Sequence, residues 1–418
     1  MHFMKTRARL YLCILVMCLG ACKNADTETT GTDNSNSTLF WFEPTTSTLI
    51  GVGQTINIFT ALKASTSDLF PSYVAPTAIT WTSSQSSVAT VSNATVVGVS
   101  EGATVITGTY LTHSSQITVQ VSGTMINRSL TVSGQGTRSY GLYTPNFGST
   151  TGPHPVVLAF HGGGGSAMNH ASISMLNKLA QAQKFYVAYP EGSGVIQTFN
   201  GGACCGAAKT NNTDDVYFTR HVLDDLEANF SIDTSKIFAT GFSNGGIMSH
   251  RLACALSDRI DGIAAVGGAS GEFDSNSNQY YTCSPTNPIP ILHIHINNDR
   301  NYPIGGGLGT GISETPFYSV ASTISDWLAR NNLTAAATTE IVTPTTTCYK
   351  YTTVSNGGNP SAPVTNCVVS PIDIFDSVNE IVFGGGHSWP GGVRSLSTAS
   401  DTPPTDFDAN SYMWSFWN

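Results

Sequence analysis

Charge is scarce in this chain of 418 residues: Asp, Glu, Lys and Arg together make up 11%. Basic residues are the scarcer sign, 18 against 27 acidic for a formal net charge of -9, and no Lys/Arg cluster follows the first ten residues. That argues against a nucleic-acid partner, which needs a basic face. Spacings of the CxxC or HxxxH kind are missing, so no zinc site is expected. Also missing are the Lys-Ser/Thr end of a P-loop and the G-x-G-x-x-G of a dinucleotide fold, so neither a metal nor an organic cofactor is expected. No apolar run reaches the length of a spanning helix; the one at 10–19 is too short. Apolar residues make up 40%, enough to bury sizeable cores, and the length calls for two domains plus an export segment.

The N-terminus carries Lys5, Arg7 and Arg9, then the apolar run, then Leu19, Gly20, Ala21 and Cys22. This reads as a cleaved export signal. Its end resembles the bacterial lipobox, which implies lipidation of Cys22 and anchoring to the bacterial outer membrane or cell surface; a plain signal would leave the protein secreted. Residues 1–22 are thus expected to be the signal segment. Residues 23–38, almost without apolar side chains, are expected to be a flexible tether. Cys13 and Cys18 leave with the signal, and the even set Cys204, Cys205, Cys254, Cys283, Cys348 and Cys367 permits three disulfides in an oxidising compartment. Cys348 and Cys367 are the expected pair. Adjacent cysteines rarely bond each other, so Cys204 and Cys205 are expected to reach separately to Cys254 and Cys283.

Residues 39–123 run in short Thr/Ser/Val alternations broken by Gly and Pro, the pattern of a small antiparallel β-sandwich. The stretch from Ile79 through Trp81 to Val91, with Gly102 to Ile106 after it, resembles the group 2 bacterial immunoglobulin-like domain, which implies a spacer with Trp81 in its core. From 126 to 418 apolar strand runs alternate with helical stretches, as in a largely parallel sheet built from βαβ units. Strands are expected at 156–160, 185–189, 236–240, 263–267, 289–296 and 380–383. One helix shows Phe218, Val222, Leu226 and Phe230 on one face, a second Val320, Ile324, Trp327 and Leu328.

Gly241, Phe242, Ser243, Asn244 and Gly245 fit G-x-S-x-G, with a buried strand leading in and a helical run leading out. A strand-to-helix turn of this kind lifts the serine hydroxyl above the sheet and tolerates only small neighbours. A serine needs a histidine base and an orienting acid, and in this fold the order is Ser, acid, His. His387 is the only histidine after His295, so it is the candidate base. Asp299 follows a strand end and is the candidate acid, with Asp274 and Asp326 as alternatives. The glycine run after His161 supplies oxyanion donors from Gly162 or Gly163, with the Asn244 amide as the second.

Taken together, His161 to Gly165, the paired cysteines within Gly201 to Gly206, Asp214 and Asp215, Gly241 to Gly246, Arg251 to Cys254, and Gly384 to Gly392 resemble the polyhydroxybutyrate depolymerase and feruloyl esterase group of secreted α/β-hydrolases. The resemblance implies a doubly wound, mostly parallel sheet and serine carboxylic ester hydrolysis through an acyl-enzyme, with Ser243, Asp299 and His387 as triad. The substrate would be a feruloyl or related ester of plant polysaccharide, or a polyhydroxyalkanoate-type polyester. Two departures stand out. His295, Ile296, Asn297, Asn298, Asp299 replaces the group's His-Gly-Thr-x-Asp, and Phe199 stands where the group commonly has Trp before Asn200. Phe199 is therefore a candidate pocket wall, and Trp389 either stacks on substrate or packs its own loop. The competing function is a catalytically inert surface adhesin or polymer-binding module.

Overall fold

The computed structural model describes residues 39–43, 47–63, 72–271, 281–310, 316–355, 362–371, 374–375, 381–382, 386–394 and 401–418. The expected signal segment, the tether, Cys22, Asp274, Gly384 and Gly385 lie outside the described residues.

The strands that carry the site are β1 (His113–Val132), β2 (Gly136–Thr144), β3 (His154–Phe160), β4 (Tyr186–Pro190), β5 (Ile232–Phe242), β6 (Gly262–Val266), β7 (Ile291–Ile296), β8 (Thr338–Thr343), β9 (Thr346–Tyr351) and β10 (Val364–Val369). In space they run β8-β9-β10-β7-β6-β5-β3-β4-β2-β1. From β4 through β3, β5, β6 and β7 to β10 every pair is parallel, and antiparallel strands finish both ends. Strands buried on both faces read as continuous apolar runs, and β4, β6 and β7 are buried at every position.

Helices cover both faces. Those that matter for the site are α1 (Ala167–Ser174), α2 (Leu176–Gln183), α3 (Asp215–Asn229), α4 (Asn244–Ala255), α5 (Val320–Arg330) and α6 (Ala409–Trp417). Phe218, Val222 and Leu226 of α3, Ile247 and Leu252 of α4, and Ile324 and Trp327 of α5 pack with Leu158, Phe160, Ile263 and Ile291 on one face. On the other, Ala167 and Leu176 meet Val157 and Phe238, and Met413 of α6 meets Leu292 and Ile294. This is the α/β-hydrolase architecture, a doubly wound and mostly parallel sheet. The expected strand at 380–383 is a correction: only Ile381–Val382 is described, paired with Ile374–Phe375 and apart from the large sheet. The place beside β7 belongs to β10, whose adjacent Thr365 and Asn366 hide it from a search for apolar runs.

N-terminal to this unit, Phe42, Ile50, Val96, Ile106 and Val119 form a separate small core between short strands, on which Trp81 stacks through Phe42 at 5.4 Å. Most pairs there are antiparallel, but Ser47–Val52 runs parallel to β1. The segment joining the two parts at 123–126 lies within β1, which is one unbroken strand from His113 to Val132. A buried polar chain also ties them: Asn177 Nδ2 donates to Gln54 Oε1 at 2.9 Å and Tyr189 Oη donates to Asn177 Oδ1 at 2.7 Å.

Candidate active site

Ser243 stands between the end of β5 and the start of α4 with φ 56 and ψ -118, a positive-φ backbone conformation that L-residues with a Cβ rarely adopt. Its neighbours explain how the chain holds it there. A Cβ on Gly241 would collide with Gly245, and one on Gly245 would collide with the Phe160 carbonyl, so both positions admit only glycine. The Ser243 N–H donates to the Val266 carbonyl at 2.8 Å, which fixes the turn against the end of β6.

His387 and Asp299 converge on the same sheet end. His387 Nδ1 lies 2.6 Å from Asp299 Oδ2, and the other carboxylate oxygen accepts the Tyr302 N–H at 2.8 Å. The first residue after β6, Gly267 at φ +60, has its missing Cβ 3.6 Å from His387 Cε1 and 3.7 Å from Asp299 Oδ2. Burial opposes the charge on both groups. For Asp299 the adjacent His387 outweighs it and holds the carboxyl below its usual range. For His387 burial works against the imidazolium, but Asp299, with Asp401 behind it, leaves the ring raised above an ordinary histidine. Asp401 Oδ2 accepts the His387 N–H at 2.6 Å, and Asn298 Oδ1 accepts the Gly386 N–H at 3.1 Å. Neither residue stood out in the sequence, because a side-chain oxygen that accepts a backbone N–H leaves no motif. Of the alternative acids, Asp326 sits on α5 and accepts the Tyr318 hydroxyl at 2.9 Å.

The glycine loop lies beside the elbow. A Cβ on Gly162 would be 3.4 Å from Ser243 Cβ, and one on Gly163 would be 4.0 Å from Asn244 Cβ. Asn244 opens α4, so its N–H has no carbonyl of the helix to bond. His161 braces the loop: its Nε2 accepts the Gly192 N–H at 3.0 Å, so the proton sits on Nδ1, which donates to the Gly162 carbonyl at 2.7 Å. Burial pushes this histidine down to about 4, which keeps it neutral.

The pocket-wall reading of Phe199 is corrected, and so is the substrate-stacking reading of Trp389, in favour of the packing alternative. Phe199 is fully buried, its ring against Phe160 and His161. Its backbone is gripped by Asn244, whose Oδ1 accepts the Phe199 N–H at 2.7 Å and whose Nδ2 donates to the Phe199 carbonyl at 2.9 Å. Trp389 is also buried, donating from Nε1 to Asn410 Oδ1 at 3.1 Å with its ring edge-on to His170. It packs the His387 loop onto α6 and α1 and offers no face to a ligand.

The cysteine pairing is corrected as well. Cys254, at the end of α4, bonds Cys283, and Cys204 bonds its neighbour Cys205. The Cys254 and Cys283 backbones face each other with Cα atoms 4.9 Å apart, which leaves the adjacent pair to each other. Cys348 and Cys367 are bonded directly across the β9–β10 ladder, as expected. The loop at 199–206 is held further by the buried Asp215, which accepts the Asn200 N–H at 2.7 Å and pairs with Arg138 at 2.8 Å.

A strand order of this kind, an elbow serine and a histidine–carboxylate pair at one sheet end define an α/β-hydrolase site. Residues 149–310 match the family described as Phospholipase/Carboxylesterase. "Putative esterase NocK" of Nocardia uniformis subsp. tsuyamanensis is 30% identical over 294 residues, covering 65% of this chain and 79% of that protein. The chain belongs to this carboxylesterase family of α/β-hydrolases. Feruloyl esterase B of Piromyces equi is 28% identical over 207 residues, covering 49% of this chain. Feruloyl esterase C of Emericella nidulans is 30% identical over 173 residues, covering 41% of this chain. The chain spans 37% and 58% of the lengths of those two enzymes, less than two thirds of each. An acetyl xylan esterase from Aspergillus awamori superposes with a TM-score of 0.46 at 15% identity, covering 70% of this chain and 98% of that one.

Proposed function

We propose that the protein hydrolyses carboxylic esters through an acyl-enzyme on Ser243. His387 takes the proton from Ser243 Oγ as the oxygen attacks the ester carbonyl, and Asp299 holds the imidazole with Nδ1 protonated and stabilises its charge. The amides of Gly162 or Gly163 and of Asn244 receive the oxyanion. His387 then returns the proton to the leaving alcohol, and water repeats the sequence to release the acid. The observation that carries this reading is the 2.6 Å contact of His387 Nδ1 with Asp299 Oδ2 at the sheet end that holds Ser243 in its elbow.

The substrate class we propose is a feruloyl or acetyl ester on plant polysaccharide. It is supported by relatives named feruloyl esterase B, feruloyl esterase C and bifunctional acetylxylan esterase/xylanase XynS20E. Polyhydroxyalkanoate-type polyesters are the second candidate. Methyl ferulate, acetylated xylan, p-nitrophenyl esters and polyhydroxybutyrate, each set against the Ser243→Ala variant, test this reading; failure of both polysaccharide-type esters with turnover of the polyester would overturn the substrate class. Export and anchoring through Cys22 complete the proposal, supported by three disulfides suited to an oxidising compartment. Loss of membrane association in Cys22→Ala is the expected result, and unchanged association would contradict it.

A further inference from the structure

We infer that three buried histidines outside the catalytic chemistry form a single hydrogen-bonded chain that positions Asp299, with His295 as the positioning residue; the inference rests on Asp299 being the triad acid. His293 and His295 alternate with Leu292, Ile294 and Ile296 along β7 and share the sheet face packed by α4 and α5. His250 comes from α4 and Trp327 from α5. All three imidazoles and the indole are closed off from solvent.

The order of protons along the row follows from its two ends. Trp327 Nε1 can only donate, and it lies 3.0 Å from His250 Nδ1, so that nitrogen accepts and the His250 proton is on Nε2. His250 Nε2 lies 3.3 Å from His293 Nδ1, and His293 Nε2 lies 3.1 Å from His295 Nδ1. His295 Nε2 then lies 2.8 Å from the Tyr302 carbonyl, which can only accept. Every ring is therefore neutral with its proton on Nε2, and no lone pair is left for a metal. Burial pushes all three below an ordinary histidine, in keeping with that assignment.

The end of the row is where it acts. Tyr302 is the residue whose N–H holds Asp299 Oδ1, so the donor from His295 fixes the carbonyl of the same residue that fixes the acid. The His295 Nε2 atom is also 3.8 Å from Asp299 Oδ2, the oxygen that faces His387, and presents its N–H dipole to that charge. Apolar residues would fill this space without the desolvation of three imidazoles. A hydrogen-bonded row ending on the acid's own turn locks the turn in one geometry.

The test is the pH dependence of kcat and KM for p-nitrophenyl acetate in His295→Leu, His295→Gln and Asp299→Asn, beside the parent protein. Removing the donor in His295→Leu is expected to lower kcat by on the order of ten- to a hundred-fold with KM little changed, and to move the acid limb of the profile to lower pH as the carboxylate drifts from His387. The Gln side chain places an amide N–H near the lost Nε2–H, so His295→Gln should recover most of kcat and the limb. Parent-like behaviour of His295→Leu, or equal losses in Leu and Gln, would overturn the inference. Should His295→Leu not fold, nitrogen-15 shifts of the parent histidines decide: three neutral Nε2–H rings are expected, and an Nδ1–H ring at His293 or His295 would break the chain. Loss in Asp299→Asn with parent-like His295→Leu would fault the positioning role alone, whereas an active Asp299→Asn would fault the triad beneath it.

Discussion

His387 Nδ1 and Asp299 Oδ2 lie 2.6 Å apart although 88 residues separate them in the chain. Neither side chain is left to find the other: the Tyr302 N–H turns the carboxylate and the Asp401 carboxylate takes the His387 N–H. The pair raises the imidazole above its ordinary value and lowers the carboxyl, with burial opposing both charges.

The base must be neutral to accept the Ser243 proton, so kcat/KM for a neutral ester is expected to rise with pH through a limb above about 6.5, the ordinary histidine value. In Asp299→Asn the stabilising charge is gone. The limb should move down and kcat should fall by on the order of 10³- to 10⁴-fold. A limb that does not move would show that Asp299 is not the partner of the catalytic base.

Acid should destabilise the fold well before the carboxylates titrate. Burial pushes His161 down to about 4 and His170 and His250 down to about 3, and lowers His293 and His295 too. Between those values and about 6.5 the unfolded chain binds more protons than the native one, so stability falls as pH falls through that window. A Tm that drops steadily from neutral pH to pH 5 is expected. A flat Tm over that range would mean that these rings are protonated in the native state.

Two glycines near the serine should respond differently to alanine. In Gly245→Ala the new methyl meets the Phe160 carbonyl, and a loss of about 3 kcal/mol or a failure to fold is expected. In Gly162→Ala the methyl lies 3.3 Å from the Phe242 ring and 3.4 Å from Ser243 Cβ, where there is room for it only beside the reacting centre. That variant should keep its Tm and lose kcat. Denaturation curves and ester turnover on both proteins decide the matter, and a fully active Gly162→Ala would show that the space beside Gly162 is not used by the reacting ester.

Asn244 joins the backbone amide proposed for the oxyanion to a side chain that clamps Phe199. In Asn244→Ala the backbone donor remains while the buried N–H and carbonyl of Phe199 lose their partners at 2.7 and 2.9 Å, a cost of about 2–4 kcal/mol. Urea unfolding should show this loss, and an unchanged midpoint would contradict the clamp.

Much of the fold is written in local pattern. Apolar runs mark β3, β4, β5 and β7 because strands covered on both faces leave no polar position. The strand β10 was hidden by its Thr365 and Asn366. The elbow is legible for a steric reason, since Gly241 and Gly245 stand where any Cβ collides. Side chains that work through space leave less trace. The roles of Asp401, Asn298 and the His250–His293–His295 row emerge only when distant segments meet. Phe199 and Trp389 misled because an aromatic near a motif looks the same in sequence whether it faces a ligand or the core.

The central claim, that Ser243 is the nucleophile, is tested most directly by trapping it. Incubation with an aryl phosphonate, followed by mass spectrometry of peptides, should find one adduct, on the peptide that contains Ser243, formed in step with loss of p-nitrophenyl acetate turnover and absent from Ser243→Ala. Turnover that persists in Ser243→Ala, or an adduct on another residue that accounts for the inactivation, would contradict the account.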